Sequence, residues 1–279
     1  MMTERAANRV FGKILFHVCA SIVAVTILIP FFWMIITSLK EKGALLSIPV
    51  EWIPKNPTLN AYKKIFTLSG FNTAIFNSFY LAVSTSIVQI LSASMAAYAF
   101  SKIRFKGRES IFKVYLATMM IPFQVIFIPL FIVMANLKLT NSLNAFLLLQ
   151  LFNPFAIFMI RQKMMTINDS LIEAAIIDGA TQFQIFRKIA LPLTSGIIAT
   201  LAVMSFMGSW NDYLFPLVML TKNKKFTLPL ILNSLQGQYG SDYNLLMAGS
   251  LISIIPILIV YMMAQKYFRS GLQIGGVKG

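Results

Sequence analysis

Long uncharged runs separated by short polar turns dominate this chain, and their lengths match the hydrocarbon thickness of a bilayer. The first run, Ile14 to Leu39, carries no Lys, Arg, Asp or Glu and follows Arg5, Arg9 and Lys13. It is too long for the apolar core of a signal peptide, and no small-x-small cleavage site follows. A retained spanning helix is predicted, bent at Pro30, with its amino end inside the cell. Further spans are predicted near Ala74 to Phe100, Val114 to Leu137, Leu143 to Ile160, Ile197 to Leu220 and Leu245 to Gln265. The expectation is an all-α polytopic membrane protein of six transmembrane helices, with residues 1–279 forming one domain.

Local chemistry refines the spans. SASMAAYAF in the second places Ser92 and Ala96, and Ala93 and Ala97, at the four-residue spacing that lets helix backbones approach in lipid. In the third, Pro122 and Pro129 lie seven residues apart, on nearly one face, which predicts one bent helix. Polar residues at membrane depth are candidates for lining a solute pathway: Asn77, Gln89, Gln124, Gln150, Asn153, Asn211 and Asp212, with Tyr80, Trp210 and Tyr213 offering faces on which a sugar could stack. Interhelical hydrogen bonding explains such residues equally well.

Composition agrees with the pattern. Hydrophobic residues make up 57% of the chain and charged residues 12%, with a mean hydropathy of +0.74, too apolar for an ordinary soluble domain. A net charge of +15 would suit nucleic acid, but the cations sit in short clusters between apolar runs, so no nucleic-acid partner is expected. The short turns carry the topology: Lys102, Arg104, Lys106, Arg108 and Lys113 flank the turn between spans two and three, against Lys138 alone between three and four. By the positive-inside rule both termini are cytoplasmic, although Lys222, Lys224 and Lys225 oppose that arrangement. Cys19 and His17 stand alone of their kinds and point to different faces of one helix, so no disulfide or metal site is expected.

One stretch interrupts the membrane pattern. In Asn168 to Pro192, NDSLIEAAIIDGATQFQIFRKIALP, Ser170 and Glu173 have the spacing of a capping box, as do Thr181 and Gln184. Gly179 between them suits a left-handed helix stop, and Pro192 should end the second helix. Two short amphipathic helices hinged at Gly179 are predicted. They could lie on the headgroups, or, being compact at Ala174, Ala175 and Gly179, insert into a groove on another protein.

The run Glu173-Ala174-Ala175, then Gly179, then Ile189-Ala190-Leu191-Pro192 resembles the EAA motif of the membrane subunits of bacterial ATP-binding-cassette importers. AAYAFSKIRFKGR, IPFQVIFIPLF, WNDYLFPLVML and the terminal GGVKG are similar to its carbohydrate-uptake branch, the maltose-type second permeases; the likeness runs from about Asn72 to Gly279. The resemblance implies a type I importer permease fold in the bacterial plasma (inner) membrane, passing a disaccharide or oligosaccharide. It implies that Ser170, Glu173, Ala174, Ala175, Gly179, Ile189, Leu191 and Pro192 form a coupling helix against a cytoplasmic ATPase. It further implies that Asn233, Gln236, Gly237, Gln238, Tyr239 and Gly240 meet an extracellular or periplasmic solute-binding protein, and that Lys278 and Gly279 approach the ATPase interface. The partners implied are a second homologous permease, two cytoplasmic ATPase subunits, the solute-binding protein and the lipid bilayer. No phosphate-binding loop of the G-x-x-x-x-G-K-[ST] kind occurs, so ATP would be bound by a partner subunit and this chain would have no cofactor and no catalytic residue. The rival reading is an ion-coupled secondary transporter of a small polar solute.

Overall fold

The computed structural model describes residues 2–41, 51–236 and 242–272, and every regular element among them is helical. Three described helices are long and apolar enough to span a bilayer: Phe11–Leu39 within α1 (Met2–Leu39), α3 (Phe71–Lys102), and Tyr243–Gln265 within α14 (Tyr243–Leu272). Their burial runs opposite to their hydropathy. The α1 window has a mean hydropathy of 2.5 and is 6% buried, whereas the α3 window has 1.5 and is 44% buried. The most polar of the three long helices is therefore the one enclosed by protein.

Two further helix pairs, Arg108–Met120 with Phe123–Asn136 and Gln182–Leu193 with Ser195–Trp210, are together long and apolar enough to span but are sharply bent. α4 (Arg108–Ala117) and a following 3-10 turn meet α5 (Phe123–Asn136) at 101°. The expected bend is thus a sharp break, and it lies at Pro122 alone: Ile121, crowded by the following ring, takes extended backbone (φ −87°, ψ 115°), while α5 runs on through Pro129. The fourth expected span is not one helix either. α6 (Ala145–Gln150) stops before α7 (Pro154–Met165), where Pro154 opens the new helix and Asn153 caps it by accepting from the Ala156 N–H at 3.0 Å.

The chain divides into two compact units. The larger comprises 69–231 and 255–279. Here α3 packs against α7 and α11 (Ser195–Trp210). Ala93, Ala97, Ala156, Ile160, Met164 and Leu201 are all at most 2% exposed where these helices meet. The expected small-residue face is thus the Ala93/Ala97 pair. A second apolar cluster gathers Leu81, Met134, Phe146, Phe215 and Met219, the last two from α12 (Leu214–Met219) or its end. The smaller unit, 1–68 with 232–254, ties the end of α1 to α2 (Asn60–Thr67) and to the start of α14. Ser38 and Tyr62 hydroxyls lie 2.8 Å apart, the Asn244 amide donates to the carbonyls of Thr37 and Lys40, and Lys64 pairs with Asp242 at 3.2 Å.

Arg161 of α7 is a buried cation in the larger unit. Its Nε donates to the Phe100 carbonyl at 3.0 Å and Nη2 to Glu109 at 2.6 Å, and its guanidinium sits 4.0 Å from the Phe112 ring centroid. Replacing it with Met leaves the Phe100 carbonyl without that donor. Arg161→Met is expected to cost about 2 kcal/mol, read as a lower melting temperature in detergent; Arg161→Lys recovers little, since one ammonium does not reproduce the fork. An unchanged melting temperature for Arg161→Met would refute this.

Candidate coupling site

The segment after α7 forms two helix starts and one reversal, each with a visible cause. α8 (Asp169–Ile177) is capped by Asn168, whose extended backbone lets its side-chain oxygen accept from the Ser170 N–H at 3.0 Å. The cap expected at Ser170 therefore lies two residues earlier, and Glu173 stands exposed in the body of α8. At the far end Gly179 has φ +80°. Its N–H donates to Ile176 (3.0 Å) and the Ala180 N–H to Ala175 (2.9 Å), the paired bonds of a Schellman stop.

Thr181 then opens α9 (Gln182–Ile185) with the reciprocal box expected: the Gln184 N–H donates to Thr181 Oγ1 at 3.3 Å and the Thr181 N–H to Gln184 Oε1 at 2.8 Å. A π-helical turn, Phe186–Ala190, follows and runs into α10 (Leu191–Leu193). Pro192 does not end the helix as expected. A wide π turn ahead of it accommodates the missing N–H, and the 79° bend falls at Thr194, which is buried and donates its hydroxyl to the Ala190 carbonyl at 2.7 Å.

The knuckle has two faces. Ile172, Ile185, Phe186 and Ala190 are buried against Tyr98, Ile160 and Met164, with Ala175, Ile189 and Leu191 packed at the edge. On the other face Leu171, Ile176 and Phe183 are roughly half or more exposed and Ile177 is 85% exposed, alongside exposed Ser170, Glu173 and Ala174. Such an apolar outward face on a well-capped element is left uncovered by this chain and suits either a groove on another protein or the lipid headgroups.

Contacts with no local sequence signal fix this element. Lys102, counted in the sequence only as a topology charge, donates to the Ile167 carbonyl (2.7 Å) and to Asp169 Oδ1 (2.5 Å), and the Tyr98 hydroxyl donates to Gln182 Oε1 (2.8 Å). The Lys102 hydrogen bond, then its charge, holds the Asp169 carboxyl below the usual carboxylate range. A depressed carboxylate contributes above its unfolded pKa and loses that contribution as pH falls through the folded one. The pair is therefore intact across the neutral range. A cavity of about 370 Å3 beside it is lined by Ser101, Lys102, Arg104, Arg108, Asp169 and Glu173 with Ile172 and Ile176.

The pathway candidates are dispersed, and most spend polar atoms on structural bonds. Asn77 donates to the carbonyls of Lys224 and Phe226, Gln89 accepts from Ser205, Tyr80 donates to Asn144 and Asn153 caps α7. Asn211 donates to the Met207 carbonyl, and Asp212 accepts from the Phe215 N–H at the start of α12. Trp210 is 2% exposed and stacks on Phe206, so its ring is taken up in packing. Gln124 is exposed on α5, while Gln150 at the end of α6 and Tyr213 before α12 are half-buried. Asn233 lies in α13 (Leu228–Ser234) and Gln236 in the turn after it; Gly237, Gln238, Tyr239, Gly240, Lys278 and Gly279 fall outside the described residues.

Comparisons with known proteins agree with this architecture. The chain is 38% identical, over 90% of its length and 91% of the relative's, to an arabinooligosaccharides transport system permease protein of Halalkalibacterium halodurans. It is 32% identical to the inner membrane ABC transporter permease protein YcjP of Escherichia coli K12, over 98% and 99% of the two chains. It superposes with a TM-score of 0.85 and 28% identity on a chain of a bacterial ABC transporter involved in the import of the acidic polysaccharide alginate, covering 94% of this chain and 98% of that one. Residues 89–273 match the family described as binding-protein-dependent transport system inner membrane component. That match takes in the whole knuckle together with α7, α11 and all of α14, and the chain belongs to this family: it is a non-catalytic permease subunit of an ATP-binding-cassette importer, with the type I permease fold.

Proposed function

We propose that this chain forms half of the translocation pathway of an importer for a disaccharide or oligosaccharide, and that its knuckle, 168–192, couples that pathway to a separate pair of ATPase subunits. The whole of 1–279 acts as one permease domain beside a second homologous permease, with both termini in the cytoplasm. A solute-binding protein outside delivers the sugar, meeting Asn233, Gln236, Gly237, Gln238, Tyr239 and Gly240. The observation that carries the reading is the knuckle itself: it is rigidly capped at both helix starts and closed by a Schellman turn, yet it presents Leu171, Ile177 and Phe183 outward. The relatives named for arabinooligosaccharide transport and the alginate importer support the sugar class.

The test is to purify the intact assembly, identify by mass spectrometry the solute retained by its binding protein, and follow uptake of that solute into proteoliposomes. Uptake is expected to require ATP and a co-purifying ATPase. Accumulation driven by an ion gradient without ATP would replace this reading with secondary transport.

A further inference from the structure

We propose that α3 is the arm on which the knuckle is carried, and that Lys102, backed by Tyr98, is the positioning residue that clamps the two together; this rests on the coupling role proposed above. Tyr98 and Lys102 lie four residues apart, on one face of the last turns of α3. From that face they reach both helix starts of the knuckle. Lys102 holds the carbonyl of Ile167 and the carboxylate of Asp169, just before and at the first residue of α8, and Tyr98 holds Gln182, the first residue of α9.

This is not a solvated surface pair. The Lys102 side chain is 5% exposed although Asp169 is 74% exposed, so the ammonium is withdrawn from water onto two acceptors at the amino end of the knuckle, one just before it and one within it. Withdrawn charges are held strongly and punish the loss of a partner, unlike exposed ion pairs. Beneath them the Tyr98 and Phe186 rings pack at 5.4 Å, and Ile172 and Ile185 fill the same cluster.

The covalent route is less suited to transmitting a push. Toward α7 it passes through the non-helical residues 166–168, and toward α11 through the π turn at Phe186–Ala190 and the 79° break at Thr194, all irregularities at which the chain can bend. The clamped route leads without a break into α3, the most enclosed of the long helices. Displacement of the knuckle therefore moves α3 with it, and α11 follows through its packing on α3.

Paired spin labels on the assembled transporter, in a Cys19→Ser background, test this with ATP–vanadate as the only added ligand. Labels go at Ile177 on α8 and Leu91 on α3, and in a second sample at Ile177 and Met204 on α11; all three positions are exposed in this chain, and because Ile177 lies on the proposed docking face, ATPase co-purification is the control for each labelled protein. The 177–91 distance is expected to be the same with and without nucleotide. In Lys102→Met it broadens and shifts by several ångström, and in Lys102→Arg it returns to the starting distribution. Asp169→Asn gives a partial shift and serves if Lys102→Met does not accumulate. A 177–91 distance that changes with nucleotide while Lys102 is intact would overturn the clamp, as would one indifferent to both Lys102→Met and Asp169→Asn. Those outcomes leave the coupling role standing, because that role is decided separately by whether uptake requires ATP and a co-purifying ATPase.

Discussion

Valine at Gly179 is expected to leave the assembly intact but to lower solute uptake per ATP hydrolysed about tenfold, a typical coupling magnitude. Gly179 has φ +80°, and a Cβ built there meets nothing within 4 Å. The penalty is therefore backbone strain, not a clash within this chain. A left-handed conformation costs an ordinary residue roughly 1–2 kcal/mol, and more for a β-branched one. Relaxing that strain breaks the bonds from Gly179 to Ile176 and from Ala180 to Ala175, which set the angle between α8 and α9. The ranking separates causes. Asparagine tolerates positive φ, so Gly179→Asn should keep most coupling, Gly179→Ala should be intermediate and Gly179→Val the worst. Equal losses for Asn and Val would instead make the open space over Gly179 a partner's contact, and wild-type ratios throughout would remove the bend from the mechanism. ATPase co-purification serves as the assembly control.

The long spans and this reversal were legible in the sequence because each rests on a local rule. Uncharged runs of bilayer length announce α1, α3 and α14, and T-x-x-Q announces the start of α9. Where a helix starts depended on backbone geometry. The cap was expected at Ser170 from its spacing to Glu173, but Asn168 serves because its backbone is extended (φ −62°, ψ 130°) directly ahead of the helical residues. The prolines were ambiguous for a similar reason. Pro122 and Pro129 look alike in sequence, but only the residue before Pro122 leaves helical geometry. The clamp had no signature at all, since Lys102 and Asp169 are separated by 67 positions. Polar residues at membrane depth also carry a structural duty that the sequence does not reveal: a buried amide in a bent, broken helix bundle serves as donor or acceptor for freed backbone groups, and Asn77 and Asn153 are used that way.

Leucine at Ala97 is expected to be the most damaging single core change, lowering the yield of folded protein and its melting temperature in detergent by an overpacking cost of about 1–3 kcal/mol. Ala97 and Ala156 are 0% exposed and Ala93 is 1% exposed, in the cluster where α3 meets α7 and α11. In lipid the added apolar surface gains nothing from burial, because the tails are as apolar as the interior; close backbone approach and packing supply the association. A larger side chain there separates the helices with no compensating term. The same separation would draw Arg161 on α7 away from the Phe100 carbonyl on α3, so Ala97→Leu and Arg161→Met should be less than additive. Met95 on the same helix is 54% exposed, and Met95→Leu should leave both yield and melting temperature unchanged. If Ala97→Leu behaved like Met95→Leu, the buried alanine pair would be no more than incidental small-residue content, and the close approach of α3 to its neighbours would need another source.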